Sequence, residues 1–308
     1  MLQQIWSKIV EYDKIIIHRH INPDPDALGS QLGLAILIRH HYPGKTVKAV
    51  GFNEPSLSWM GAMDEIADET YKEALVIVTD TANQARIDDA RYKLGSFLIK
   101  IDHHPLTDEY GDLNLIDEGV AATCELIVRL AAVNRLEIPT ASAELLYAGL
   151  VSDSGRFLYD STTAATFECA KILRHCQIDI NKIHHHLYER PLNVVQAEAY
   201  VLNHFKVTLA GVAYFMMTQE LQQSFQLTTG TRAPLANTLA DIEGIQVRVS
   251  FFENEDGQIR ANLRSNGPII NEVASQFNGG GHPKAAGAML ASWDECHALI
   301  AALNETIK

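Results

Sequence analysis

The 308-residue sequence lacks several features that would place it in a specialised class of protein. It contains no apolar run near the ~18 residues that a membrane-spanning helix needs. Its N-terminal segment, MLQQIWSKIVEYDK, has no apolar core followed by a small-residue cleavage site, so we expect no signal peptide. Its four cysteines are far apart and form no C-x-x-C pair, which argues against a disulfide framework or a thiolate zinc site. These absences predict a cytoplasmic protein with no membrane partner.

Positive charge is also scarce. Lys and Arg number 25 against 38 Asp and Glu, which gives a formal charge of −13. Residues 1–197 hold 18 basic and 27 acidic side chains, and residues 198–308 hold 7 and 11. Neither part has the basic surface that binds long duplex nucleic acid, so any phosphate ligand must be held locally. The length and the ordinary composition favour two folded domains.

Apolar strands alternate with helical stretches in the first half of the chain. The predicted strands are Lys14–His18, Val47–Gly51, Ala74–Thr79 and Phe97–Ile101. The main predicted helices are Ala27–His41, Ala122–Ala132 and Ala141–Leu150. This alternation predicts an α/β domain with a parallel, doubly wound sheet.

The pattern changes near Lys206. Three further strand-like segments, Val207–Met217, Val247–Glu253 and Gln258–Arg264, predict a smaller α/β domain with a mixed sheet. We place a catalytic domain at residues 1–186, a hinge at 187–197 and a substrate-binding domain at 198–308. A cleft is expected between the two domains.

Polar side chains follow the ends of the predicted strands and of one helix. They are His20, Asp24, Asp26, Asp80, His103 and Asp153. The carboxyl ends of parallel strands meet at one edge of a sheet, so these side chains should converge. Two imidazoles and four carboxylates suit Mn²⁺, Co²⁺ or Mg²⁺, and they exceed what a single tetrahedral ion needs. The set therefore predicts a pair of divalent cations, of the kind that hydrolyses phosphate esters.

Four motifs carry a resemblance to a known family. The sequence reads HINPDPDALGS from His20, has Asp80 after the third strand, and continues with Asp102-His103-His104 and then SDSG at residues 152–155. These resemble the motifs of the DHH phosphoesterases. LRSN at 263–266, followed by GGGHPKAAG at 279–287, is similar to the DHHA1 domain of that superfamily. The likeness spans nearly the whole chain and is greatest for the branch of bifunctional oligoribonucleases and pAp phosphatases, the nanoRNase A type.

The resemblance implies a role for each matching residue. His20 and Asp24 would bind one metal, Asp26, His103 and Asp153 the second, and Asp80 would bridge them. Asp102 would orient an imidazole, and His104 would face the substrate phosphate as a catalytic group. The expected substrate-binding residues are Arg264, Ser265, Gly279, Gly280, Gly281 and His282.

The function implied is hydrolysis of oligoribonucleotides of about two to five nucleotides to mononucleotides, and of 3′-phosphoadenosine 5′-phosphate (pAp) to AMP. Two divalent cations, Mn²⁺ before Co²⁺ or Mg²⁺, are the expected cofactors. A cyclic di-AMP or pApA phosphodiesterase and an inorganic pyrophosphatase share this ligand pattern and stay open as alternatives. A homodimer is also left open.

Overall fold

The computed structural model of the chain describes residues 1–307 as two compact units, the first being Met1–Glu189 and the second starting at Arg190. Lys308, the last residue of the predicted second domain, lies outside the described residues. The last helix of the first unit ends at Tyr188, and the first helix of the second begins at Leu192. The predicted hinge at 187–197 is thus helical at both ends, with only residues 189–191 between the helices. Its role as a hinge stays a prediction.

A parallel sheet forms the centre of the first unit. Its strands are β1 (Lys14–His18), β2 (Thr46–Ala49), β3 (Leu75–Thr79), β4 (Phe97–Asp102) and β5 (Leu113–Ile116). They lie in the order β2-β1-β3-β4-β5, with every neighbouring pair parallel. The apolar runs of β1 and β3 are buried on both faces, as a parallel sheet requires. The predicted α/β class is confirmed, while β5 was not predicted.

The chain reverses its direction of travel across the sheet at β1. It passes from β1 to β2 on one side and then crosses back to β3 on the other. Such a reversal opens a crevice at the carboxyl ends of the strands, where ligands bind in sheets of this kind. The site described below lies at the ends of β1, β3 and β4.

Helices cover this sheet. They are α1 (Leu2–Glu11), α2 (Pro25–His41), α3 (Thr123–Val133), α4 (Thr140–Asp153), α5 (Ala164–His175) and α6 (Ile180–Tyr188). Glycines let α2 and α4 pack closely: a Cβ atom on Gly29 would lie 2.6 Å from the Leu145 carbonyl oxygen, and one on Gly149 would lie 2.9 Å from the Asp26 side chain. This packing brings the start of α2, with Asp26, next to the end of α4, with Asp153.

The second unit is built on a mixed sheet. Its strands are β6 (Lys206–Val207), β7 (Val212–Met217), β8 (Val247–Glu253), β9 (Ile259–Ser265), β10 (Gly280–His282) and β11 (Ala285–Leu290). Its helices are α7 (Leu192–His204), α8 (Gln219–Ser224), α9 (Thr229–Leu235), α10 (Asn271–Ser275) and α11 (Trp293–Asn304). The strand order is β10-β11-β9-β8-β7-β6; β7 and β8 are parallel and the other pairs antiparallel. The predicted mixed sheet is confirmed.

The two faces of this sheet are covered differently. One face packs against α10 and α11 through residues such as Leu263 and Leu299. On the other face, Phe215 of β7 and Phe252 of β8 pack against apolar residues of α7 and α9. That cover does not extend over β9 and β11, whose side chains on this face include Arg260 and Asn262.

The structure also bears on the absences noted in the sequence. No helix within residues 1–307 is long and apolar enough to cross a membrane. The four cysteines are free, and three of them are buried, as expected of small buried thiols.

Candidate metal centre

The six side chains predicted to bind metal converge at the carboxyl edge of the parallel sheet. His20 follows β1, Asp80 follows β3 and His103 follows β4. Asp24 and Asp26 lie at the start of α2, and Asp153 is the last residue of α4. Their donor atoms form two clusters, His20–Asp24–Asp80 and Asp26–His103–Asp153, each with atoms within 4.8 Å of one another. A third group that meets the same distance, Asp80–His103–His104, overlaps both and includes His104. The two clusters bring together the residues that the family resemblance assigns to metals, and their roles as ligands stay predictions.

The first cluster is centred on His20. Its Nδ1 lies 2.8 Å from the Ile21 carbonyl oxygen, which fixes the ring with a proton on that nitrogen. Its Nε2 lies 3.7 Å from Asp24 Oδ2 and 3.3 Å from Asp80 Oδ2. In the neutral ring, Nε2 is therefore the atom available to bind a cation.

The second cluster is centred on His103. Its buried Nε2 forms no well-aligned hydrogen bond, although Asp153 Oδ2 lies 3.3 Å away and Asp26 Oδ2 lies 4.0 Å away. Asp80 Oδ1 lies 3.5 Å from the same nitrogen. Asp80 thus turns one carboxylate oxygen toward each cluster, as a bridging ligand would.

The backbone holds the carboxylates in place. Asp24 caps α2 by accepting hydrogen bonds from the amides of residues 26 and 27. The Asp26 carboxylate accepts from Thr123 N at 2.7 Å and Cys124 N at 2.9 Å, at the start of α3, where the helix dipole favours negative charge. Asp80 has a left-handed φ of +51°, a strained conformation for this residue type that recurs at functional sites.

Thr123 is a neighbour of the centre that sequence reasoning missed. Its hydroxyl donates to Asp80 Oδ1 at 3.1 Å, and its amide donates to Asp26, so one residue orients a carboxylate of each cluster. The signal in the sequence is weak, since a threonine at the start of a helix is common.

Mutual repulsion and burial shift the pKa values of these groups. Burial and the neighbouring Asp80 and Asp153 raise the pKa of Asp26 well above its ordinary value. Burial opposes protonation of His20, but the nearby carboxylates of Asp24 and Asp80 outweigh this and raise its pKa to about 10. The pKa of His103 is also raised to about 10, because Asp153, Asp26 and Asp80 outweigh the opposing burial. Without a cation, the cluster therefore compensates its charge by binding protons.

The residues present fit a pair of divalent cations. Two imidazole nitrogens and four carboxylates supply the hard and borderline ligands that Mn²⁺, Co²⁺ and Mg²⁺ accept. His103 Nε2 is aimed at carboxylate oxygens without bonding to them, at separations typical of ligands around one ion. Bound cations would replace the protons that the metal-free cluster takes up.

A row of three polar side chains, His104, Asp102 and Lys100, lies beside the clusters. His104 Nδ1 is 2.8 Å from Asp102 Oδ1, and the buried Lys100 places its Nζ 3.3 Å from Asp102 Oδ2. Lys100 also donates to the carbonyl oxygens of Ala82 and Asp108. The hydrogen bond to Asp102 raises the pKa of His104 against the opposing burial. Because Nδ1 of His104 is engaged, Nε2 is the atom free to meet a substrate.

Lys100 was not predicted as part of the site. Its signal is visible in the sequence, since it is a lysine within the apolar strand FLIKI. A fully buried lysine is rare unless it is paired. Since a buried lysine needs partners, we infer that Lys100 holds together the three groups it contacts: the Asp102 carboxylate and the carbonyl oxygens of Ala82 and Asp108.

The substrate-binding residues predicted in the second unit lie on β9 to β11. Arg264 is on β9, and its Nη1 donates to the carbonyl of Leu263. Ser265 is buried and its hydroxyl donates to Pro268 O at 2.7 Å, so it stabilises a turn. Residues 280–282 form the edge strand β10. A Cβ on Gly279 would lie 2.2 Å from Gly287 O, so this glycine is required for close backbone packing.

Comparison with known proteins identifies the family. Residues 14–150 match the family model "DHH family, N-terminal domain", and residues 211–308 match "DHHA1 domain". The chain belongs to the DHH family. This DHH protein is 44% identical to the bifunctional oligoribonuclease and PAP phosphatase NrnA of Bacillus subtilis over 100% of this chain and 99% of the relative. It is 45% identical to the probable bifunctional oligoribonuclease and PAP phosphatase NrnA of Streptococcus mutans over 92% of each chain.

A solved structure supports the same assignment. An exopolyphosphatase-related protein from Bacteroides fragilis superposes with a TM-score of 0.85 at 26% identity, covering 99% of this chain and 95% of the other. The DHH protein therefore shares its fold with that structure over nearly the whole chain.

Proposed function

We propose that this member of the DHH family is a metal-dependent phosphoesterase that hydrolyses very short oligoribonucleotides to mononucleotides and pAp to AMP. The observation that carries the proposal is the orientation of Asp80, whose two oxygens face the two clusters of ligands. A centre of this kind holds two cations, which serve phosphoryl hydrolysis. The names of the relatives at 44 and 45% identity supply the substrate class.

The metal ligands are assigned as the family resemblance implies. His20 and Asp24 hold one cation, Asp26, His103 and Asp153 hold the other, and Asp80 is shared. When bound, such cations polarise the phosphoryl oxygens and lower the pKa of water. Mn²⁺ is the preferred ion in this proposal, because imidazole ligands favour the later transition metals over Mg²⁺.

The row formed by His104, Asp102 and Lys100 acts on the substrate through His104. His104 presents Nε2 to the phosphate, where it stabilises developing charge or protonates the leaving oxygen. Asp102 holds the ring by its Nδ1, which fixes the tautomer. Lys100 in turn holds Asp102 in place, since its buried positive charge lies beside that carboxylate.

The second unit binds the part of the substrate that is remote from the reacting phosphate. Arg264 offers a planar fork that matches phosphate, and Gly280 lies on an edge strand with open space around its Cα atom. Substrates that reach this unit are of about two to five nucleotides, since the acidic chain, with a net charge of −13, repels additional phosphates.

A panel of substrates tests the proposal. The purified chain, treated with EDTA and then supplied with Mn²⁺, is assayed on a diribonucleotide, pAp, cyclic di-AMP and pyrophosphate. We expect hydrolysis of the first two, and no turnover without added metal. Preferred hydrolysis of cyclic di-AMP or pyrophosphate would replace the proposed substrate class, and full activity in EDTA would remove the two-metal centre.

A further inference from the structure

The uncovered part of the second sheet contains a pocket of about 460 Å³. Arg264 forms part of its wall together with Arg232, Arg260, Asn254 and Asn262, none of which sequence reasoning selected except Arg264. A volume of this size is in the range of small-molecule sites. The pocket lies wholly within the second unit.

Strand register explains why these side chains meet. Arg260, Asn262 and Arg264 alternate along β9, so their side chains project from the same face. Phe252 of β8 pairs with Arg260, and its buried ring lies where the apolar cover from α7 and α9 ends. Arg232 projects from α9 across this ring, with its guanidinium 5.9 Å from the ring centre.

The pocket concentrates positive charge in an acidic part of the chain. Residues 198–308 contain seven basic side chains, and three of them line this pocket. No carboxylate is among the described residues that line it. Arg232 Nη1 donates to Asn254 Oδ1 at 3.0 Å, while its buried Nε has no partner among the described residues. Such guanidinium groups are suited to an anionic ligand.

The other walls show what kind of anion fits. Phe252 and Met289 give the pocket an apolar side, and the amides of Asn254 and Asn262 can both donate and accept. Gly287 pairs with Asn262 and has no side chain, which keeps the space beside Arg260 open; a Cβ there would lie 3.2 Å from Arg260 Nη2. A nucleotide combines a phosphate, a flat apolar ring and hydrogen-bonding ring edges in one ligand.

The geometry points to this pocket as a binding site for one nucleotide of the substrate. The phosphate lies between Arg260 and Arg264, and the base lies against Met289 on the apolar side of the pocket, within reach of the amide of Asn254. This assignment rests on the proposed function through Arg264. It adds Arg232 and Arg260 as residues that set which substrates bind.

Binding without catalysis provides the first test. Isothermal titration calorimetry measures AMP, adenosine and inorganic phosphate against the full chain in EDTA, where turnover is absent. AMP should bind more tightly than either fragment, and Arg232→Met and Arg260→Met should each weaken AMP at least tenfold. Lys206→Met is the matched control, since it removes an exposed positive charge outside the pocket. AMP binding that is equal in all four proteins would overturn the inference, provided that their melting temperatures agree.

Kinetics separate this inference from the proposed function. In Mn²⁺, kcat/KM is compared on a diribonucleotide and on bis(p-nitrophenyl) phosphate, which has no base. Both pocket variants should lose at least tenfold more on the diribonucleotide. If the wild type cleaves the diribonucleotide and the variants keep its full kcat/KM, the assignment of the pocket would be overturned and the proposed function would stand. Wild type that binds AMP in the pocket but cleaves no diribonucleotide would overturn the function instead.

Discussion

The candidate sites of the two units carry opposite charge. The first gathers four carboxylates and two imidazoles at the sheet edge, and the raised pKa values of His20 and His103 show that protons balance them when no cation is present. The second leaves Arg232, Arg260 and Arg264 around a pocket with no carboxylate among its described lining residues. We therefore expect the first site to need cations before it can accept a phosphate, whereas the second should accept an anion directly.

The largest expected effect comes from the residue shared by both clusters. Asp80→Ala should lower kcat by about 10³-fold or more and reduce bound metal below two ions per chain, because both clusters lose a ligand. Turnover in Mn²⁺ and metal content by plasma mass spectrometry measure the two effects. Asp160→Asn, which changes an exposed aspartate, is the control. An Asp80→Ala protein that retained two ions would remove the bridging assignment.

The adjacent histidines should behave differently. His104→Ala should lose about 10²- to 10⁴-fold in kcat, the range of a general acid or base, while both ions stay bound. His103→Ala should lose an ion as well as activity, since its Nε2 faces three carboxylates. Metal analysis of the two variants decides the point. Loss of an ion from His104→Ala with none lost from His103→Ala would reverse the assignment.

Arg264→Ala tests the second unit. The variant should bind a diribonucleotide more weakly by roughly 1.5–3 kcal/mol, the range for a hydrogen bond to a charged group. It should be much smaller on bis(p-nitrophenyl) phosphate, which lacks the part that this unit binds. The measurement is kcat/KM on both substrates. An equal loss on both would place Arg264 outside substrate recognition and would weaken the contrast between the units.

Lys100→Met should have a smaller effect, about 10- to 100-fold on kcat, as for other residues that orient a catalytic group through a neighbour. Because Lys100 acts through Asp102 and His104, KM and metal content should change little. Lys93→Met, at an exposed position of the 3₁₀ helix Ala90–Leu94, is the control. If Lys100→Met lowered the melting temperature and left kcat unchanged, the role of Lys100 would be structural alone.

The sequence predicted the first site better than the second for a physical reason. Metal ligands such as His20 and Asp80 follow strand ends, and the order of parallel strands then dictates that they meet. The pocket around Arg232 depends on where α9 stops covering the sheet, and no local pattern encodes that position. The glycine run at 279–281 shows the same limit, since three glycines alone do not indicate a strand, and only pairing with β11 places Gly280 and Gly281 in one.

The helices were predicted more accurately from local sequence patterns than the side-chain contacts between distant parts of the chain. The segment 27–41 lies within α2, and its beginning is fixed by the cap at Asp24 and by Pro25, both of which are visible in the sequence. The roles of Lys100 and Thr123 depend on partners that are distant in the chain: Lys100 on the carbonyl of Ala82, and Thr123 on Asp26 and Asp80. Such contacts arise only when the tertiary structure forms.

The last expected effect is on stability and not on turnover: a pH dependence that arises in the first unit. His20 and His103 have pKa values of about 10 in the folded metal-free chain, above the ordinary value of 6.5. A raised folded pKa gives stability that is full below pH 6.5 and is lost as pH rises toward 10. The free energy of unfolding in EDTA should thus fall by on the order of 1 kcal/mol per pH unit for each histidine.

Bound Mn²⁺ should remove this dependence, because it holds both imidazoles in their neutral form and displaces their protons. Urea unfolding at pH 7, 8 and 9, in EDTA and in Mn²⁺, measures both trends. His20→Gln should flatten the fall seen in EDTA, whereas His40→Gln, at an exposed position near the end of α2, should leave it unchanged. Parallel pH profiles with and without Mn²⁺ would mean that protons and cations do not compete for the same nitrogens. In that case the charge balance of the first unit would not depend on metal, and the contrast with the arginine-lined pocket would lose its basis.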